Sequence, residues 1–201
     1  MNKAESRPEQ YQDTRERILL TGEQLIRGRG FSALGLSEIL AAAEVPKGSF
    51  YHYFQSKEGF GVALLERYFD DYHARAGALL GNRAVPVRSR LLTYFSNWRQ
   101  VAADSACHDV CLAVKLAAEV SDLSEPMRLA LDRGMLRITT QIAECLRAAQ
   151  AEGSFPASTD AQELAESLYG MWVGASLLTK TRRDLRPLDL AYRQTEALLH
   201  S

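Results

Sequence analysis

Residues 46–57 read PKGSFYHYFQSK, a stretch that combines Phe, Tyr, His and Lys side chains and contains no acid. Phe50 and Phe54 stand four residues apart, so on a helix they share one face and pack into a core. The polar residues between them are left on the opposite face. The pattern predicts a short helix from Lys47 to Tyr53, with a proline at its entrance.

The chain before this stretch supplies two more helices. The first is predicted from about Glu9 to Arg29, with Tyr11 on its buried stripe and a helix-terminating glycine at Gly30. The second lies in LSEILAAAEV at residues 36–45 and ends at a Val-Pro step. A helix, a short helix, a tight turn and another short helix form a helix-turn-helix, whose last helix enters the major groove of double-stranded DNA.

The residues on the outward face of this motif are suited to binding DNA. Small side chains at Gly48 and Ser49 let backbone amides near the helix start approach a phosphate, and Lys57 is placed to hold a flanking phosphate. The formal net charge of −1 gives no sign of a polyanionic partner, so the prediction depends on this local surface. The predicted DNA-binding residues are Ser37, Lys47, Gly48, Ser49, Tyr51, His52 and Lys57.

The rest of the chain also has helical periodicity, and about nine helices are predicted in an all-α fold. A long helix begins at Ser56 and runs to about Leu80. Further helices are expected at about residues 87–103, 109–120, 125–152, 159–181 and 187–199.

Composition agrees with a globular chain. Of its 201 residues, 46% are hydrophobic, yet no run approaches the roughly 20 apolar residues of a membrane span. The polar N-terminus predicts neither a signal peptide nor an anchor, so a cytoplasmic location is expected. Three cysteines are too few for a disulfide scaffold and fit a reducing compartment.

Residues 36–60, LSEILAAAEVPKGSFYHYFQSKEGF, resemble the signature of the TetR family of transcriptional regulators, and the helix order extends the resemblance over the whole chain. The resemblance implies a homodimer with a helix-turn-helix domain at residues 1–55 and a ligand-sensing and dimerisation domain at residues 56–201. Gly35 stands where the family usually has Thr or Ser, so a side-chain contact to phosphate is missing there.

Two further stretches, GEQLIRGRGFSALGLSEIL and CLAVKLAAEVSDLSEPMR, resemble family members that respond to electrophiles and oxidants through a cysteine. This resemblance implies a repressor that is released from a palindromic operator when Cys111 is modified, with Lys180 as the partner of the cysteine. Ser121 stands at the position of a second cysteine, which excludes a disulfide there.

The sequence around Cys111 also supports its assignment as the reactive cysteine. With Asp109 as a cap, Cys111 is predicted in the first turn of a helix, where the helix dipole favours a thiolate, and Lys115 lies one turn on. The alternative is that Cys111 is a small core residue. For Lys180, the alternative is a cation that complements the C-terminus of its helix.

The sequence gives little support for a metal site or an enzyme and more for a non-covalent ligand site. Cys107, His108 and Cys111 lack the second ligand cluster of a zinc site, and no nucleophile has an oriented base, so neither a metal, a cofactor nor an enzyme is predicted. A regulator that binds an apolar molecule without covalent reaction is a stronger alternative. Its pocket residues are predicted to be Tyr94, Trp98, Lys115, Tyr169 and Trp172.

The segment LAESLYGMWVGASLL at residues 164–178 is predicted to form a dimer interface together with the last helix. Its small residues, Gly170 and Gly174, allow close helix approach. The apolar stripe assigned to this interface consists of Leu164, Leu168, Trp172 and Ala175.

Overall fold

The structure is a computed structural model that describes residues 7–107 and 111–200, with side chains described from residue 13 onward. These residues form nine α-helices and no strand, which confirms the predicted fold class. None of the helices in this part of the chain has the length and apolar character that crossing a bilayer requires. The helices are α1 (Arg7–Arg29), α2 (Leu36–Ala43), α3 (Lys47–Phe54), α4 (Lys57–Leu80), α5 (Val87–Asp104), α6 (Leu112–Val120), α7 (Glu125–Ala151), α8 (Ala161–Arg182) and α9 (Arg186–Leu198).

The chain divides into two compact units. The first contains the residues up to Tyr68 together with Leu116–Leu131, and the second contains Phe69–Lys115 together with the residues from Asp132 onward. Three helices, α4, α6 and α7, have residues in both units. The division of the chain after residue 55 stays a prediction.

An aromatic core holds α3 in the first unit. Phe50 and Phe54 are buried as predicted, with ring centroids 5.1 Å apart. Both rings also contact Phe60 of α4, at 5.7 and 5.3 Å. The polar face of α3 is therefore presented outward by three rings that remove a large apolar area from water.

The turn between α3 and α4 is tight. Gln55 has a φ of 59°, in the left-handed region, and the Ser56 amide donates to the carbonyl of Phe54 at 2.6 Å. The Ser56 hydroxyl accepts from the Gly59 amide at 2.9 Å and so caps α4. A Cβ on Gly59 would clash with the Phe54 carbonyl oxygen, so this position needs glycine.

The core of the second unit contains two stacked rings. Phe95 of α5 lies on Trp172 of α8 with centroids 4.9 Å apart and 23° between the planes. Asp160 begins α8 by accepting from the amides of Gln162 and Glu163. This core is built from α5, α8 and α9.

This core corrects the predicted dimer stripe. Leu168, Trp172 and Ala175 are buried inside the chain's own second unit and so are not available to a partner. They were assigned to an interface because helical periodicity identifies an apolar stripe but not the molecule that covers it. The opposite face of α8 is exposed at Gly170 and Gly174, where an added Cβ would meet open space.

The start of α6 also differs from the prediction. The helix begins at Leu112, and the carbonyl of Cys111 accepts from the Lys115 amide at 3.2 Å. Cys111 is therefore the residue that precedes the first turn rather than a member of it. The predicted cap, Asp109, lies outside the described residues, as does the side chain of Tyr11.

Replacing the glycine of the α3–α4 turn tests this account of the fold. We expect Gly59→Ala to lower the free energy of unfolding by about 1–3 kcal/mol, because its methyl group overlaps a backbone oxygen. Gly48→Ala, on the open face of α3, is the matched control and should leave stability unchanged or raise it by up to about 1 kcal/mol. Urea denaturation measures both, and equal effects would show that the turn does not need glycine.

Candidate functional site

The outward face of α2 and α3 forms a polar surface. Ser37, Lys47, Gly48 and His52 are exposed, Tyr51 is 44% exposed, and Ser49 is half-buried. The Lys47 ammonium lies 5.9 Å from the centroid of the Tyr51 ring. The structure thus brings six of the seven predicted DNA-binding residues to the surface of one helix pair. Their contacts with DNA stay predictions.

The seventh residue, Lys57, has a partner inside the protein. Its ammonium donates to the carbonyl of Phe31 at 2.8 Å and lies 4.7 Å from the centroid of the Phe31 ring. Desolvation lowers the pKa of Lys57, and the charge of Glu119 opposes that shift. The ammonium therefore has a hydrogen-bond partner in the α1–α2 loop that the sequence pattern did not reveal. A phosphate contact through the remaining N–H groups stays a prediction.

Glu119, in the last turn of α6, binds the same loop. Its carboxylate accepts from the Phe31 amide at 3.0 Å and from the Ser32 amide at 2.5 Å. Gly30 makes room for it: the residue has a φ of +91°, and an added Cβ would lie 3.0 Å from a carboxylate oxygen of Glu119. One acidic side chain of α6 therefore ties down the loop that leads into the helix-turn-helix.

The charge of Cys111 acts on three phenols of the second unit, of which Tyr94 and Tyr169 are buried and Tyr72 is half-buried. Burial raises the pKa of Tyr169, and a negative charge on Cys111 raises it further. The same two causes raise the pKa of Tyr72, and Cys111 contributes to the raised pKa of Tyr94 after burial and its phenol neighbours. Cys111 is half-buried. Its charge contributes to the raised pKa of all three hydroxyls.

The predicted pocket residues Tyr94, Trp98, Tyr169 and Trp172 form one aromatic cluster. The Trp98 ring lies 6.4 Å from Tyr94, 5.6 Å from Tyr169 and 5.8 Å from Trp172, measured between centroids. Both indoles are hydrogen-bonded internally, to the hydroxyls of Ser176 and Thr195 at 3.0 Å each. The remaining predicted member, Lys115, is half-buried in the first turn of α6.

The other cysteines are poor candidates for a sensor. Cys107 and Cys145 are each 5% exposed, and burial raises the pKa of the Cys145 thiol. Among the described residues, no group of acidic, histidine and cysteine side chains could hold a metal ion. Lys180 is half-buried in the last turn of α8, where a cation complements the helix dipole. Its pairing with Cys111 stays a prediction.

The roles of two residues of the site, Tyr72 and Glu119, could not be predicted from the sequence. Tyr72 falls on the buried stripe of α4, but its spacing does not reveal that its hydroxyl lies 2.8 Å from that of Tyr94. Glu119 was missed because its partners are backbone amides 87 and 88 residues away. The signal that the sequence carries for it is a carboxylate in the last turn of a helix whose other residues, apart from Lys115, are apolar.

Both the N-terminal and the C-terminal part of the chain match known protein families. Residues 18–64 match the bacterial regulatory proteins of the tetR family, and residues 88–195 match the tetracyclin repressor-like C-terminal domain. The HTH-type transcriptional repressor NemR of Escherichia coli (strain K12) is 42% identical over 187 residues, 93% of this chain and 94% of that protein. The HTH-type transcriptional repressor DhaR of Mycobacterium sp. (strain GP1) is 34% identical, with 87% of this chain and 86% of that protein covered.

A solved structure gives the same result. The crystal structure of E. coli NemR in its reduced form is similar to this chain with a TM-score of 0.84 and 44% sequence identity. The similarity covers 92% of this chain and 96% of that one.

Proposed function

Because the chain belongs to the TetR family of transcriptional regulators, we propose that it is a repressor that leaves its operator when Cys111 is chemically modified. Repressors of this family bind operator DNA as dimers, and they are not enzymes. The observation that carries the proposal is the position of Cys111 directly before α6, the helix whose last turn holds the α1–α2 loop. The protein acts in the cytoplasm, where its operator is located.

Contact with DNA is assigned to α3. Lys47, Gly48 and Ser49 at its start meet phosphate, while Tyr51 and His52 reach base edges in the major groove. The aromatic core beneath α3 supports this assignment, because it fixes which face points outward. Two copies of α3 in a twofold dimer read a palindromic operator with half-sites about one helical turn apart.

The dimer is assigned to the exposed faces of α8 and α9. Gly170, Gly174 and Leu177 follow one another at helical spacing on the side of α8 opposite Trp172, and Leu177 is 51% exposed. On α9, Leu190 is also exposed. Small residues beside exposed leucines let two helices approach closely, which suits a self-complementary interface.

The chemical trigger is assigned to the sulfur of Cys111. A position at the N-terminal end of a helix stabilises negative charge, and the thiolate is the form that reacts with electrophiles and oxidants. The solved relative is named as the reduced form of NemR, which supports redox state as a variable in that protein. Modification adds bulk near the phenols of Tyr72, Tyr94 and Tyr169, so the start of α6 has to move.

The signal is assigned to α6 itself. From Cys111 to Glu119 the helix rises about 12 Å. A shift or rotation of α6 withdraws the Glu119 carboxylate from the Phe31 and Ser32 amides, each a charge-assisted hydrogen bond worth about 1.5–3 kcal/mol. Once the α1–α2 loop is released, the helix-turn-helix loses the geometry that two half-sites on a rigid duplex require.

Replacing the sensor cysteine tests the trigger. We expect Cys111→Ser to bind operator DNA like the parent and to stay bound after N-ethylmaleimide or hypochlorite, because it lacks the reactive sulfur. The parent should lose at least about tenfold in affinity, equivalent to 1.4 kcal/mol. Fluorescence anisotropy with an operator duplex selected by the protein from a random pool measures this.

The buried cysteines give the controls. Cys107→Ser and Cys145→Ser should release DNA as the parent does. If Cys111→Ser still releases DNA after either reagent, the covalent trigger is wrong. Non-covalent binding of an apolar molecule to the aromatic cluster then becomes the better account.

Charging the exposed face of α8 tests the dimer. We expect Leu177→Asp to be a monomer at micromolar concentration, because each copy would place a carboxylate in a self-complementary apolar interface. Leu123→Asp, at a leucine that is 69% exposed between α6 and α7, is the matched control and should remain a dimer. Analytical ultracentrifugation distinguishes the two, and a parent protein that sediments as a monomer would remove this assignment.

A further inference from the structure

The hydroxyl of Tyr169 lacks a hydrogen-bond partner in the described part of the chain, although the residue is only 6% exposed. Buried hydroxyls are normally hydrogen-bonded, so an orphaned one needs an explanation. The phenols of Tyr72 and Tyr94 are hydrogen-bonded to each other, since their hydroxyls lie 2.8 Å apart. Tyr169 therefore carries an O–H group with no acceptor of its own.

We infer that the Tyr169 hydroxyl donates a hydrogen bond to the carbonyl oxygen of an α,β-unsaturated carbonyl compound that alkylates Cys111. The inference rests on the function proposed above and narrows the effector to conjugated carbonyl compounds. In the reaction, the thiol proton is lost to solvent and the sulfur bonds to the β-carbon. The π electrons of the carbon–carbon double bond move to form an enolate, which Tyr169 stabilises at oxygen. Solvent then protonates the α-carbon, so no oxidant and no leaving group are needed.

The surroundings of Tyr169 suit a flat, conjugated molecule. The centroid of the Trp98 ring lies 5.6 Å from that of Tyr169 and 6.4 Å from that of Tyr94, so planar aromatic side chains surround the Tyr169 phenol. The indole N–H groups of Trp98 and Trp172 already donate to Ser176 and Thr195. Among the described residues, the Tyr169 hydroxyl is a buried donor of this cluster without an acceptor.

The phenol also has the right protonation state. Burial and the charge of Cys111 both raise the pKa of Tyr169, so the hydroxyl keeps its proton at neutral pH and can donate it in a hydrogen bond. A donor aimed at an oxygen on which charge develops accelerates the reaction, because that interaction is stronger in the transition state than in the reactants. Alkylating agents that develop no charge on oxygen gain nothing from it.

The test compares two small reagents on the full-length protein. Methyl vinyl ketone is a conjugated carbonyl compound, whereas allyl bromide alkylates sulfur by displacing bromide and contains no oxygen. We expect Tyr169→Phe to slow alkylation of Cys111 by methyl vinyl ketone about 10- to 100-fold and to change the rate with allyl bromide by less than about twofold. Peptide mass spectrometry at timed intervals gives both rate constants.

Two control proteins show whether a change in the alkylation rate is due to the Tyr169 hydroxyl. Tyr192→Phe removes a half-buried phenol of α9 and should react like the parent with both reagents. If Tyr169→Phe does not bind operator DNA, then 3-fluorotyrosine at position 169, a more acidic donor, replaces it and should accelerate only the methyl vinyl ketone reaction.

The remaining outcomes distinguish a failure of the role inferred for Tyr169 from a failure of the proposed cysteine trigger. Equal slowing with both reagents, or no slowing with methyl vinyl ketone, overturns the role of Tyr169 and leaves the cysteine trigger standing. If neither reagent modifies Cys111 in the parent protein, the proposed function fails and the inference fails with it.

Discussion

The carboxylate of Glu119, bound to the two backbone amides at Phe31 and Ser32, is the interaction on which the account depends. Amides at the start of a loop have no helical partner, and a half-buried carboxylate satisfies both of them at once. Gly30 adopts a left-handed conformation to admit it, and Lys57 holds the adjoining carbonyl of Phe31. A single loop between α1 and α2 is therefore fastened by two oppositely charged side chains.

This arrangement makes the helix-turn-helix dependent on the position of α6. The aromatic core under α3 is rigid and apolar, so it fixes which face of α3 points outward but provides no means of changing its state. The Glu119 carboxylate is polar, directional and located in the last turn of a nine-residue helix. Small displacements break such directional hydrogen bonds, which suits a coupling that a single modified sulfur has to operate.

The fold could be largely predicted from the sequence, because Phe50 and Phe54 at helical spacing and the proline before α3 act through local geometry. The dimer stripe could not: Trp172 and Leu168 are equally apolar whether a partner or the chain's own α5 and α9 covers them. Cys111 was identified through resemblance and its place near a helix start. Tyr169 was identified only as a pocket wall, because an unpaired hydroxyl becomes visible only when distant elements are brought together.

Exchange of individual backbone amides tests the central claim most directly. Hydrogen exchange at Phe31 and Ser32, followed by NMR before and after N-ethylmaleimide reacts with Cys111, reports whether the carboxylate stays on the loop. The account predicts faster exchange at these two amides after modification, while the Gly30 amide, bonded within α1 to Ile26 at 2.8 Å, keeps its protection. Unchanged exchange at Phe31 and Ser32 in a modified protein that has released its operator would contradict it.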